Sequence, residues 1–211
     1  MAIVFEQTNN NSTRIAVWEI SENEEELLNL LPPLENKEEK FLQNISNASR
    51  RKEWLASRVL IYQLTGLYPA IGYNESGQPY LINSCDNLTI SHTKGYAAIG
   101  LSQKTIPGID IEYPSDRIRK VSDRFLNTAE QQFIQEQYFD IQLGLIWCAK
   151  EAVYKAAGHP GISFKEQIIV SPFIPHNSQG SFVATFHSQN QTQPFSLNYH
   201  LTKDYYLVWT K

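Results

Sequence analysis

Apolar and polar positions along the chain change period several times, and each change marks a predicted element. "RIAVWEI" (14–20) alternates around Ala16 and Trp18 and predicts a strand. "SENEEELLNLLPPLENKEEKFLQNI" and "NASRRKEWLASRVLIYQLTG" then take a helical period. In the second, Trp54, Leu55, Val59 and Tyr62 form an apolar stripe, and Gly66 supplies the stop. "YNESGQPYLI" carries turn chemistry at Ser76-Gly77 and Pro79, which predicts a hairpin or tight loop between short strands. "NLTISHT" and "YAAIGLS" read as strands joined at "KG", and "TIPGIDIEY" as a further strand. The pattern returns to helix in "DRIRKVSDRF", in "TAEQQFIQEQ" with Thr128 as N-cap, and in "IQLGLIWCAKEAVYKAAG", which ends at Gly158. "EQIIVSP", "GSFVATFHS", "FSLNYHLTK" and "YYLVWTK" predict four closing strands.

No sequence repeat is visible, yet the order of elements is roughly duplicated about residue 106. The expected fold class is therefore α+β. It comprises two similar halves, 1–106 and 107–211, each pairing a helical block with a small, mainly antiparallel sheet. With no low-complexity linker between them, the halves are expected to pack tightly, as a pseudo-dimer within one chain.

Composition narrows the class further. At 211 residues, 42% apolar and 12% aromatic, the chain can bury a sizeable core and does not read as disordered. Its 18 basic and 22 acidic residues give a net charge of -4, against non-specific nucleic-acid binding. Cys85 and Cys148 are the only cysteines and show no metal-ligand spacing, which suits a reduced cytoplasm. "MAIVFEQTNNNSTR" lacks the charged and apolar regions of a signal peptide, and no apolar run reaches membrane-spanning length. A cytoplasmic protein without membrane or nucleic-acid partners is expected.

Against that background a few charged residues stand out. In "PGIDIEY" (107–113), Asp110 and Glu112 fall on one side of a strand and Ile109 and Ile111 on the other. Two neighbouring same-face acids repel, so either water solvates them or a hard cation sits between them. In "WCAKEAVYKAAG", Trp147, Glu151 and Lys155 recur every four residues on one helical face. Glu151 and Lys155 could simply form a surface ion pair. The Ala, Trp, Val and Tyr around them instead imply partial burial, which is costly for a charge without a partner. Ser91-His92-Thr93 closes a strand and reads either as ordinary structure or as a phosphate contact. Arg50, Arg51, Lys52 and Arg58 read as a solvated helix face or as a phosphate anchor.

Taken together and in order, these segments resemble the 4'-phosphopantetheinyl transferase superfamily, in particular its two-halved, surfactin-synthetase-activating type. "GIDIE" (108–112) is similar to the family's G-[IV]-D-[IV]-E strand, and "WCAKEAVYK" (147–155) to its W-x-x-K-E-[AS]-x-x-K helix. "SGQPYL", "ISHT" and "DRFLNTAEQ" are similar to three further family segments, and the likeness covers roughly residues 50 to 164.

The resemblance implies an enzyme of the holo-[acyl-carrier-protein] synthase type. Such an enzyme moves 4'-phosphopantetheine from coenzyme A to a serine of an apo acyl or peptidyl carrier protein and releases 3',5'-adenosine bisphosphate. By position, Asp110, Glu112 and Glu151 would hold Mg2+, with Asp110 and Glu151 catalytic and Glu151 also the general base. Lys155 would neutralise pyrophosphate charge. Ser91 and His92, with the Gln78-Pro79 turn, would contact coenzyme A, and Arg51 its 3'-phosphate. The first half would then supply the coenzyme A contacts and the second the metal strand and catalytic helix.

A chain that holds both halves is expected to act as a monomer. Gln78 departs from the family's Lys or Arg and removes a charged phosphate contact. Two alternatives are a non-catalytic homologue that binds coenzyme A or a carrier, and a metal-dependent phosphohydrolase using the same acids. Arg117, Arg119, Lys120 and Arg124 mark a basic helix expected to dock an acidic carrier.

Overall fold

The computed structural model describes residues 3–9, 13–189 and 191–211. The reading of the first fourteen residues as leaderless falls partly outside these. The first half contains β1 (Ile3–Thr8), β2 (Arg14–Glu19), α1 (Glu24–Asn29), α2 (Asn36–Asn44), α3 (Ala48–Thr65) and β3 (Ile71–Tyr73). It continues with β4 (Pro79–Leu81), β5 (Asn87–Thr93) and β6 (Tyr96–Ser102). The second half contains β7 (Ile109–Glu112), α4 (Asp116–Val121), α5 (Thr128–Phe133), α6 (Phe139–Ala157) and β8 (Ile168–Val170). It ends with β9 (Gln179–His187), β10 (Thr192–Leu201) and β11 (Tyr206–Thr210).

The fold is α+β with two antiparallel sheets. The six-stranded sheet runs β1-β2-β6-β5-β4-β3 and the five-stranded sheet β7-β11-β10-β9-β8. With β1 set aside, the two orders superimpose strand for strand: β2 corresponds to β7, β6 to β11, β5 to β10, β4 to β9 and β3 to β8. In each half the long helix, α3 or α6, follows the first of these strands after two short helices. The halves are thus similar in topology although they share no visible sequence repeat.

Local chemistry explains most element ends, and two expectations are corrected. The helical pattern of residues 21–45 is broken into α1 and α2, because Pro32-Pro33 supplies no backbone donors and disfavours helix before it. The cap of α5 is Asn127, not Thr128: the Asn127 side chain accepts from the Glu130 amide while Glu130 reaches back to the Asn127 amide. Thr128 becomes the first helical residue. Gly66 and Gly158 end α3 and α6 with φ of 69° and 67°, a left-handed turn that glycine takes without a Cβ penalty. The pattern also missed β1, which adds an edge to the first sheet by pairing with β2.

Three apolar clusters hold the molecule together. One packs α3 on the first sheet, with Leu55, Val59 and Leu60 fully buried. A second packs α6 on the second sheet. The third joins the sheets through Ile15 and Val17 of β2, Ile109 and Ile111 of β7, and Leu207 and Trp209 of β11. β7 lies against β5 and β6 of the first sheet on one side and against α6 on the other. Gly108, just before β7, lets that strand approach α6 closely, since a Cβ would run into the Ala152 carbonyl.

Candidate active site

Strand alternation aims Ile109 and Ile111 into the inter-sheet core and leaves Asp110 and Glu112 on the α6 side. Asp110 is only 5% exposed. Its Oδ1 accepts hydrogen bonds from Ser91 Oγ at 2.7 Å and from Lys155 Nζ at 2.9 Å. Its Oδ2 is buried and has no hydrogen-bond partner among the described residues. A buried carboxylate oxygen left unpaired is expensive, so this one marks a place where a ligand atom would be stabilised.

The helical face predicted from "WCAKEAVYK" meets this strand. Trp147 Nε1 donates to Glu112 Oε1 at 3.1 Å, and Lys155 Nζ also donates to the Ile109 carbonyl at 2.9 Å. Lys155 thus reaches across to β7 for its carboxylate partner. Burial, followed by the nearby charge of Asp110, pushes the Glu151 carboxyl up to about 7. The same two causes, in the same order, raise Glu112. Beneath them Cys148 is fully buried, and burial followed by Asp110 and Glu112 holds its thiol well above the ordinary range.

Burial and the charge of Asp110 thus make both Glu112 and Glu151 costlier to ionise, and Asp110 itself carries an orphaned oxygen. As oxygen donors they suit a hard divalent cation that keeps part of its water shell. As their side chains stand, however, no group of three or more His, Cys, Asp or Glu among the described residues is gathered so that it could hold a metal ion, the expected trio of Asp110, Glu112 and Glu151 included.

α6 is fixed from below by a second, wholly buried pair. Lys150 and Glu130 are both 0% exposed, with Lys150 Nζ 2.8 Å from Glu130 Oε2. The ammonium also donates to the carbonyls of Phe164 and Ile168, and Glu130 Oε1 accepts from the Val170 amide. Burial lowers the Lys150 pKa. This pair was not read from the sequence as a contact. The capping signature N-x-x-E at Asn127–Glu130 fixed one end of it, but nothing local connects Glu130 to Lys150.

Beside the acids lies a cleft of about 1370 Å³, bounded by α3, the β3–β4 turn, β5 and the end of α6. Arg50, Trp54, Gln78, His92, Lys155 and His159 line it. His92 Nδ1 stands 3.2 Å from Glu53 Oε2, and Ser49 Oγ holds the other Glu53 oxygen at 3.1 Å. Pro79 opens β4 at the cleft edge. Ser91 is brought near, but its hydroxyl is given to Asp110. Arg51 is turned elsewhere: it pairs with Glu24 at 2.7 Å and donates to the Ile45 carbonyl. Arg50, Glu53, Trp54 and Ser57 all face the cleft at i, i+3, i+4 and i+7. That periodicity in the sequence could have selected Arg50 over Arg51. Arg58 also borders the cleft, but it is 4% exposed, stacked on Trp54 and paired with Glu38.

The basic helix lies next to the acids. Arg117, Arg119 and Lys120 are exposed on α4, whereas Arg124 is exposed on the 3-10 turn Ser122–Arg124 that follows it, and Arg117 acts electrostatically on both Glu112 and Glu151. Arg119 is tied to Asp140 at 2.6 Å and lies over the Phe139 ring. Among the described residues no helix is long and apolar enough to cross a membrane.

Comparison with known proteins singles out the same region. Residues 107–209, from β7 through β11, match the family model of the 4'-phosphopantetheinyl transferase superfamily. Among individual relatives, the chain is 30% identical over 115 residues to the 4'-phosphopantetheinyl transferase AcpT of Salmonella typhi, covering 52% of this chain and 60% of that protein. It matches the AcpT of Escherichia coli K12 at 30% over 115 residues, with 52% and 59% covered. A putative 4'-phosphopantetheinyl transferase of Haemophilus influenzae is 30% identical over 119 residues, 48% of this chain and 49% of its own length. The matched stretch spans between half and three fifths of these curated relatives.

Proposed function

We propose that this chain is a 4'-phosphopantetheinyl transferase that moves phosphopantetheine from coenzyme A to a serine of an apo acyl or peptidyl carrier protein, with release of 3',5'-adenosine bisphosphate. The observation that carries the reading is that Lys155, which lines a cleft large enough for a nucleotide, reaches the buried Asp110, whose charge acts on both Glu112 and Glu151. The family match over the second half supports it independently.

In this reading Asp110, Glu112 and Glu151 hold Mg2+, and the orphaned Asp110 Oδ2 is the oxygen most in need of it. Bound there, the ion would neutralise charge on the pyrophosphate oxygens. The protein's own groups do the rest. Lys155, held between the Ile109 carbonyl and Asp110, offers its ammonium to the leaving phosphate. Glu151 accepts the proton of the carrier serine, directly or through a water, as its hydroxyl oxygen attacks the β-phosphate. His92, set by Glu53, contacts a phosphate of coenzyme A, with the turn backbone at residues 76–79 beside it. Arg50, on the cleft face of α3, is the better-placed cation for the 3'-phosphate. The exposed basic residues of α4 receive the acidic carrier.

The test incubates the protein with coenzyme A, Mg2+ and several apo carriers and reads the carrier mass. Addition of one phosphopantetheine supports the reading. No addition with retained coenzyme A binding would leave a binding homologue instead. Release of phosphopantetheine without any carrier would indicate a phosphohydrolase.

A further inference from the structure

Gln78 occupies the place where the resembled family carries a cation, and its side chain is engaged with protein. Its Nε2 donates to the Lys155 carbonyl at 3.0 Å, and its Oε1 accepts from Asn74 Nδ2 at 3.2 Å. Asn74 in turn organises the whole turn: its Oδ1 accepts from the Ser76 amide, the Ser76 hydroxyl and the Gln78 amide. The backbone closes the same loop, with Asn74 N donating to Gln78 O at 3.0 Å and Gly77 N to Asn74 O at 2.9 Å. The Gln78 carboxamide is therefore presented by a rigid turn.

What it meets is the end of α6. The last four carbonyls of a helix have no partner within it and need donors from outside. The Gly158 amide takes that of Tyr154, and Gln78 takes that of Lys155. Close packing supports the contact, since a Cβ on Gly158 would stand 3.1 Å from Gln78 Nε2. The bond joins positions 77 residues apart, from the hairpin of the first half to the helix of the second. Its acceptor belongs to the same residue whose ammonium reaches Asp110.

We propose that Gln78 is a positioning residue: its carboxamide clasps the last turn of α6 to the β3–β4 turn and so holds Lys155 against Asp110, instead of contacting the substrate's phosphates. A lysine or arginine aimed into the cleft would leave this carbonyl for water. The glutamine exchanges a phosphate contact for a fixed helix end. The effect on transfer rests on the function proposed above, whereas the clasp itself does not.

The experiment uses the full chain with Gln78→Ala and the near-isosteric Gln78→Glu, which keeps the volume and loses the donor. Hydrogen exchange of the last-turn amides of α6 should quicken about fivefold in both, the size of one neutral hydrogen bond. In the transfer assay kcat should fall, while the KM for coenzyme A stays within about twofold, because no phosphate contact is lost. Unchanged exchange in both variants would overturn the clasp. So would a raised KM for coenzyme A at unchanged kcat, which marks a phosphate contact. If the unmodified protein transfers nothing to any carrier, the functional reading fails and the exchange measurement still decides the clasp.

Discussion

Ser91 Oγ donates to Asp110 Oδ1 at 2.7 Å across the junction of the two halves. The same hydroxyl accepts from the Ile111 amide at 3.4 Å, so one side chain of β5 pins both the carboxylate and the backbone of β7. Strand pairing cannot supply this link, because the two strands lie in different sheets. Ser91→Ala should cost about 1–3 kcal/mol of stability, the penalty for a buried acceptor losing its donor. It should also lower transfer by loosening Asp110. A urea midpoint and transfer rate both equal to those of the parent chain would contradict this.

Asp110 carries the strongest expectation. Asp110→Ala should reduce transfer by about a hundredfold or more and abolish the response to added Mg2+, because it removes the orphaned oxygen and the partner of Lys155 together. A magnesium titration of the variant that reproduced the parent curve would remove the metal reading.

The Lys150–Glu130 pair gives a stability test separate from chemistry. Lys150→Met leaves Glu130 charged and enclosed, with an expected loss of about 3–5 kcal/mol. Adding Glu130→Gln, which relieves the charge and keeps an acceptor for the Val170 amide, should recover part of that loss. Denaturant midpoints of the three chains report it, and a single variant as stable as the parent would exclude a structural role for the pair.

Acid sensitivity is expected from the far side of the inter-sheet core. His200 stacks on Phe5 at 4.5 Å and lies beside Tyr205, and burial lowers its pKa from the ordinary 6.5. A histidine whose pKa is depressed on folding binds fewer protons folded than unfolded. Its contribution is therefore complete above pH 6.5 and is lost as the pH falls below that value toward the folded pKa. Melting temperatures followed from pH 8 to about 5 should drop more for the parent than for His200→Phe, which has no proton to take up. Parallel curves would exclude His200 as a source.

Reversal of the exposed charges of α4 tests docking. Arg119→Glu with Lys120→Glu should raise the carrier KM about tenfold and leave coenzyme A affinity unchanged. Because Arg119 also holds Asp140, Lys120→Glu alone should show the same direction without breaking that pair. A carrier KM unmoved in both would place the carrier elsewhere.

Much of the fold was legible because it is locally encoded. The hairpin at 71–81, the β5–β6 pair and the glycine stops of α3 and α6 follow from turn chemistry and period alone. The split of the 21–45 pattern at Pro32-Pro33 was legible too and was overridden by apolar periodicity. β1 escaped because its strand pattern is weak, and pairing with β2 stabilises it. At the site, same-face spacing grouped Asp110 with Glu112 and Glu151 with Lys155. It left open an ion pair within the helix as one of two readings, and Lys155 instead reaches Asp110 on another element.

The sequence by itself determined which residue types could do the chemistry and which face of their own strand or helix each occupies, because period and capping act within a few residues. Only the tertiary structure decided their partners: Ser91 for Asp110, Trp147 for Glu112, Glu130 for Lys150, Glu53 for His92 and Gln78 for the end of α6. Most of these bonds join elements far apart in the chain. Those of Ser91 and Gln78 form only when the two halves pack against each other, the other three when the elements of one half fold together, and the apolar residues that drive that burial carry no record of which polar groups it brings together.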